Sequence, residues 1–149
     1  MEHDKNDLKL TTVLFRTMQN VTAVIQKDIQ SYQLNTSEFG TLELLYNRGR
    51  QPIQSIASRL LMANSSMTYV IDKLENRGFI TRTADVIDKR MTMIDLTREG
   101  KAFFDSIFPK HKETLRSIYQ DLSDDELTQV IELLKKIGYR AMHINGDQK

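Results

Sequence analysis

The sequence contains no cysteine. That excludes a disulfide framework and a cysteine zinc site, and it suits a reducing cytosol. No apolar stretch approaches the ~18 residues that a membrane-spanning helix requires, so no membrane association is expected. The opening residues, Met1-Glu2-His3-Asp4-Lys5-Asn6-Asp7, are charged throughout and do not resemble a secretion signal; the expected location is cytoplasmic. The three histidines, His3, His111 and His143, are scattered without metal-ligand spacing. Neither a glycine-rich phosphate loop nor a nucleophile motif occurs. The one acidic cluster, Asp124-Asp125-Glu126, suits the positive end of a helix better than a pair of catalytic carboxylates. The expectation is therefore no enzyme, no metal and no cofactor.

What is present begins with an uneven charge distribution. The 149 residues fit a single domain with a real core, and their net charge is only +1. Residues 48–101 nevertheless hold ten Lys/Arg against six Asp/Glu, a net +4, whereas residues 1–47 carry −2 and residues 102–149 carry −1. A basic central third is what a phosphate backbone rewards through counterion release.

That third also carries the most informative pattern. Ile53, Ile56, Ala57 and Leu60 recur at helical spacing, and Pro52 suits the first turn of that helix. Met62-Ala63-Asn64-Ser65-Ser66 then offers side-chain oxygens to cap a second helix, whose buried stripe is Met67, Val70, Ile71 and Leu74. Its other face carries Ser65, Ser66, Thr68, Tyr69, Asp72 and Lys73. Small hydroxyls at the start of a helix permit close approach to base edges and can bond bases or phosphates. Gly78 can take the left-handed conformation that ends the helix. Phe79 to Ala84 and Met91 to Leu96 each suit a strand, joined by the polar loop Asp85 to Arg90. This order predicts a helix-turn-helix followed by a β-wing. Taken alone, such a hairpin reads as a solvated surface loop; behind two helices it becomes a second contact to DNA.

These residues resemble the multiple-antibiotic-resistance regulator (MarR) family of bacterial transcription factors. The likeness rests on Ile56-Ala57 with Leu60, Thr68 through Leu74, Glu75-Asn76-Arg77-Gly78-Phe79-Ile80, Arg82, the wing motif Asp88-Lys89-Arg90, and Leu96-Thr97-Arg98-Glu99-Gly100. Phe108-Pro109-Lys110-His111 and Leu122 through Leu127 extend it, so that it covers nearly the whole chain. The resemblance implies a mainly α fold with a small β-wing, a winged helix-turn-helix core with N- and C-terminal dimerisation helices. The expected division is residues 36–97 for DNA binding, within one domain of 1–149, and residues 6–33 and 98–145 for dimerisation. It implies a double-stranded DNA-binding repressor that recognises a pseudo-palindromic operator. The expected DNA contacts are Asn64, Ser65, Ser66, Thr68, Tyr69, Lys73, Asp88, Lys89 and Arg90. In an extended wing, Asp88 and Arg90 would lie on one side of the ribbon, with the carboxylate steadying the guanidinium. Some relatives sense oxidants through thiols, a chemistry that the lack of cysteine removes here.

The flanking segments are long helical stripes. Leu10, Val13, Leu14, Met18, Val21, Val24, Ile25, Ile29 and Tyr32 mark the first. Asn35-Thr36-Ser37-Glu38 can cap a second helix carrying Phe39, Leu42, Leu45 and Tyr46. After the wing, Thr97 is the expected N-cap of a helix in which Pro109 should introduce a kink. Ser123 to Glu126 reads as a capping box. In the last helix Leu127, Leu134 and Ala141 recur every seven residues, as do Val130, Ile137 and Ile144, which makes a packing seam. Burial against the chain's own first helix is one reading. The central unit is too small to cover both stripes, however, so a homodimer joined through both termini, including Leu10 and Leu14, is the expectation. The family resemblance also implies small aromatic or phenolic effectors, with Tyr32, Phe39 and Phe103 expected to border their site. A winged helix used only for protein–protein contact is the alternative function; it requires an apolar exposed face where this sequence places Ser65, Ser66, Thr68 and Lys73.

Overall fold

In a computed structural model that describes residues 2–146, the helices and the two wing strands follow the expected order, and the chain forms six helices and three short strands in all. They are α1 (Glu2–Ser31), α2 (Thr36–Arg48), β1 (Gln51–Pro52), α3 (Ile53–Arg59), α4 (Asn64–Asn76), β2 (Ile80–Ala84), β3 (Thr92–Leu96), α5 (Arg98–Tyr119) and α6 (Asp124–Gly146). The side chain of His3 lies outside the described residues. The chain divides into two compact units, Met1–Thr114 and Leu115–Lys149.

The first unit is built on the apolar stripes of its helices. Ile29 and Leu34 meet Phe39, Leu42 and Leu45 of α2, Ile56 and Ala57 of α3, and Met67, Val70, Ile71 and Leu74 of α4. Ile80, Ile94, Phe104 and Ile107 complete the cluster. The helix ends are set by local chemistry. Asn35 and Glu38 form a reciprocal capping box, the Asn35 side chain accepting the Glu38 N–H at 2.8 Å and the Glu38 carboxylate accepting the Asn35 N–H at 3.1 Å. Thr97 caps α5 by accepting the Gly100 N–H at 3.0 Å. A Cβ at Gly100 would stand 2.0 Å from the Phe79 carbonyl oxygen, so only glycine allows this approach of α5 to the end of α4.

Several expectations require correction. Pro52 is not in the first turn of α3. It precedes the helix in extended backbone (φ −65°, ψ 147°) and belongs to β1, a two-residue strand that the sequence reading missed. Gln51 pairs with Ile94 and Pro52 with Met93, giving an antiparallel sheet in the order β1-β3-β2. Proline is tolerated because β1 is an edge strand. The cap of α4 is Ala63, which offers no side-chain bond, and Asn64, Ser65 and Ser66 form the first turn of the helix itself. The strands begin one residue later than read: Phe79 still donates its N–H to the Leu74 carbonyl, closing α4. Pro109, by contrast, lies inside α5 as expected, with the helix running on to Tyr119.

The second unit comprises the end of α5 and α6. Its capping box is formed as the spacing predicts, with Ser123 and Glu126 exchanging N–H bonds of 2.8 and 3.2 Å. Three acidic residues in the first turn of α6 complement the helix dipole. No residue of α6 is buried: Val130 is 40% exposed, Leu134 46%, Ile137 38% and Ile144 48%. Among the described residues no helix is long and apolar enough to cross a membrane.

Candidate nucleic-acid interface

Helix α4 is divided between core and solvent by its own periodicity. Met67, Val70, Ile71 and Leu74 are buried, which leaves Asn64, Ser65, Ser66, Thr68, Tyr69, Asp72 and Lys73 exposed on the opposite side. Because the cap is Ala63, the hydroxyls of Ser65 and Ser66 are not engaged in capping. Thr68 donates its hydroxyl to the Asn64 carbonyl at 3.0 Å, so its oxygen remains available as an acceptor. The Lys73 ammonium lies 5.3 Å from the centre of the Tyr69 ring, a cation–π contact between neighbouring turns.

The two carboxylates on this side of α4 are partnered. Arg82, from β2, bonds Asp72 and holds its Nε 3.4 Å from Glu75. That Nε is buried and makes no well-formed hydrogen bond, so the attraction to Glu75 is electrostatic rather than directional. An anion approaching α4 therefore meets an arginine-compensated acidic pair rather than two free carboxylates.

The C-terminal end of α4 is held by Arg77 and Gly78. Gly78 adopts φ +78°, the left-handed conformation anticipated for the stop. Arg77 donates to the Gln33 carbonyl at 2.7 Å, lies 3.9 Å from the Glu38 carboxylate and stacks over Phe79 at 4.8 Å. Phe79 in turn stacks on Phe103 with ring centres 4.4 Å apart. The Thr97 hydroxyl donates to the Gly78 carbonyl at 2.5 Å. The end of α4 is thus tied to the α1–α2 corner and to the start of α5. Sequence reasoning missed Arg77 and Arg82 as site-forming residues, since their partners are distant in the chain or on another element.

The wing is the β2–β3 hairpin. Its loop is a compact turn rather than the extended ribbon expected from the sequence: the Asp85 N–H donates to the Met91 carbonyl and the Met91 N–H to the Asp88 carbonyl, both at 2.9 Å. Asp88 and Arg90 do meet, but through this turn. One Asp88 oxygen accepts the Arg90 backbone N–H at 3.1 Å and its Nε at 3.2 Å, while the Arg90 side chain stays 93% exposed. Lys89 is exposed beside it.

The three aromatic residues expected at an effector site are placed on different partners. Phe39 is buried against Phe104 and His111, and Phe103 covers Phe79. Tyr32 donates its hydroxyl to Asp28 at 2.7 Å. Two surface clefts, one lined by Gln54, Ser55, Ser58 and Arg59 and the other by Tyr46, Leu96, Thr97 and Lys101 among others, include none of the three. His111 is committed to the core, its Nδ1 lying 2.7 Å from Asp28, and Thr114 donates to the same carboxylate at 2.7 Å. Burial alone would raise the Asp28 pKa. The hydrogen bonds from His111, Thr114 and Tyr32, with the electrostatic pull of His111, outweigh it and hold the carboxyl below its ordinary range. Burial and the bond to Asp28 push the Tyr32 phenol upward.

Residues 34–92 match the model of the MarR family, a segment running from the start of α2 to the start of β3. The chain is 40% identical over 143 residues to the uncharacterized HTH-type transcriptional regulator YkoM of Bacillus subtilis, covering 96% of this chain and 93% of that protein. It is 37% identical over 142 residues to the HTH-type transcriptional regulator MhqR of the same organism, covering 95% and 98%. The chain belongs to the MarR family. Its winged helix-turn-helix is that of a DNA-binding transcription regulator. Among solved structures, the fold matches that of a MarR mutant from E. coli in complex with operator DNA, with a TM-score of 0.77 at 18% identity, over 89% of this chain and 95% of that one. BpsR of Bordetella bronchiseptica, whose DNA binding is regulated by 6-hydroxynicotinic acid, aligns with a TM-score of 0.75 at 22% identity, over 87% and 98%.

Proposed function

We propose that this MarR-family chain works as a homodimeric repressor that grips a pseudo-palindromic operator and releases it when a small aromatic or phenolic effector binds. The observation that carries the DNA reading is the exposed side of α4. It is polar along its length, its serine hydroxyls are not engaged in capping, and its carboxylates are compensated by Arg82. Asn64, Ser65, Ser66, Thr68, Tyr69 and Lys73 enter the major groove in this reading. On the wing, Asp88 steadies Arg90, and Lys89 and Arg90 reach the neighbouring minor groove or its phosphates. An interaction module without DNA readout would require an apolar α4 surface, and Tyr69 is the sole large apolar side chain exposed on that helix.

Dimerisation is supported by what each terminal helix leaves uncovered. On α1, Leu8 is 73% exposed, Leu10 51% and Phe15 72%, with Leu14 half-buried. On α6, Val130, Leu134, Ile137, Ala141 and Ile144 are exposed and Leu127 is half-buried. A second copy of the chain covers such faces and supplies a second reading helix, which places half-site centres about 10 bp apart or a multiple of that. The effector would bind beside Tyr32, Phe39 and Phe103, near the Asp28–His111 pair. The regulation of BpsR by a hydroxylated aromatic acid supports that ligand class.

Selection of duplexes by the purified protein, followed by footprinting, tests the reading: a two-fold symmetric protected site is expected, and an unenriched pool would sink it. Arg90→Ala should weaken operator and scrambled duplex together and lower the salt slope by ~1, the mark of a lost phosphate contact. Asp88→Ala should give a smaller loss of the same kind, since the arginine remains but is less constrained. Addition of monohydroxylated aromatic acids should release the operator; a panel without effect removes the effector from the proposal and leaves the DNA reading intact.

A further inference from the structure

The wing loop carries an apolar tip that the DNA contacts proposed for Lys89 and Arg90 leave unused. Val86 is 84% exposed and Ile87 96% exposed. Two successive β-branched aliphatic side chains at the far end of a hairpin contribute nothing to core or sheet, and water is a poor solvent for them. The acidic groups around them are engaged within the turn. The Asp85 carboxylate accepts the Asp88 N–H at 3.2 Å, and Asp88 is held by Arg90. The side chains left to face outward are Val86, Ile87, Lys89 and Arg90. A tip that is apolar at its apex and cationic on its flank complements a narrow anionic cleft with apolar walls. The DNA minor groove, lined by deoxyribose and bordered by phosphates, is such a cleft, and apolar side chains enter it in several unrelated DNA-binding proteins.

Building on the proposed operator binding, we infer that Ile87 enters the minor groove flanking each half-site and selects against G·C pairs there. The physical basis is the groove floor. A·T and T·A present only the acceptors of adenine N3 and thymine O2, whereas G·C adds the guanine N2 amino group. That amino group rises from the floor, blocks deep entry and is a donor that an aliphatic side chain cannot satisfy, so covering it is costly. Lys89 and Arg90 hold the tip against the phosphates, and Ile87 supplies the discrimination.

Ile87 lies outside the core, so Ile87→Ser can be made without threatening the fold, and an unchanged Tm verifies this. The selected operator is prepared with its flanking pairs as A·T, as G·C, and as inosine·C, which keeps the major-groove face of G·C but lacks the N2 amino group. The wild type should bind the G·C flank roughly tenfold more weakly than the A·T flank, with inosine·C restoring most of the loss. In Ile87→Ser the difference should shrink to within about twofold, at an unchanged salt slope because no charge is removed. Discrimination that persists in Ile87→Ser, or inosine·C that behaves as G·C does, overturns the inference. Discrimination lost in Arg90→Ala but kept in Ile87→Ser would assign it to groove width read by the arginine, and equally overturns it. A wild-type protein that selects no duplex would instead overturn the DNA-binding reading, and this inference with it.

Discussion

Helices α4 and α6 carry apolar stripes of similar quality and meet different fates. Met67, Ile71 and Leu74 of α4 are fully buried, whereas Val130, Leu134, Ile137 and Ile144 of α6 stay exposed in the single chain. Helix α1 contains both behaviours. Its N-terminal half exposes Leu8, Leu10, Val13 and Phe15, while Ile29 near its C-terminus is buried. Periodicity states that a stripe needs cover; it does not state what provides the cover. On α4 the partner is the chain's own core, and on α6 and the first half of α1 the proposed partner is a second copy.

The most forceful way to break this comparison is Ile137→Asp. If α6 is covered by a second copy, the mutation buries an unpaired carboxylate in the seam and costs the assembly on the order of 3–5 kcal/mol. Light scattering should then report monomer or aggregate, with operator binding lost. A variant that remains a normal dimer would remove Ile137 from the interface. Leu74→Ala attacks the covered stripe instead. Truncating a fully buried leucine should cost about 3 kcal/mol, and denaturant unfolding should show that cost at every protein concentration. A loss that varied with concentration would place Leu74 at an interface as well.

The covered half of α1 is anchored by a polar tie, which sharpens the contrast with its exposed half. Asp28→Ala leaves the buried His111 ring and the half-buried Tyr32 hydroxyl without their acceptor, and Thr114 with only a long bond to the Lys110 carbonyl, and should cost about 2 kcal/mol. The same carboxylate gives a pH signature. Its folded pKa is depressed, so its contribution is fully present above the ordinary aspartate value of ~3.9 and is lost as pH falls through the lower folded value. Acid titration of stability should therefore be shallower below about pH 4 in Asp28→Ala than in the wild type. Equal slopes would mean that this carboxylate does not couple to folding.

Arg77→Lys is the mildest test. The charge is kept, but the planar stack on Phe79 and the fixed reach to Gln33 are lost, at about 1 kcal/mol. Operator affinity should fall more than affinity for scrambled duplex, because the end of α4 is no longer held in register. An equal fall in both, with a lower salt slope, would make Arg77 a phosphate contact instead.

The residues legible in the sequence are those whose partners lie within one or two turns. The capping pairs Asn35–Glu38 and Ser123–Glu126 join positions three apart, and both are formed. The stop at Gly78, the cap at Thr97 and the buried side of α4 follow equally local rules of backbone conformation and helical period. The wing motif announced that Asp88 and Arg90 would meet, although the backbone there is a turn rather than a strand.

Tertiary structure alone decided the rest. Strand β1 has only two residues and acquires its identity from Ile94 and Met93, roughly forty positions later, which no local pattern announces. Arg77 finds the Gln33 carbonyl across 44 residues, and His111 finds Asp28 across 83. The bond from Arg82 to Asp72 spans only ten positions, yet it crosses from a strand to a helix and depends on how the two pack. Polar side chains such as these have several possible partners in an unfolded chain, and only the packed core selects one. Apolar periodicity fixed which side of each helix turns inward, because hydrophobic burial is non-directional and needs only a stripe. Hydrogen bonds and ion pairs are directional and short-ranged, so the ties that orient α4 and steady α1 exist only once the fold has brought their atoms together.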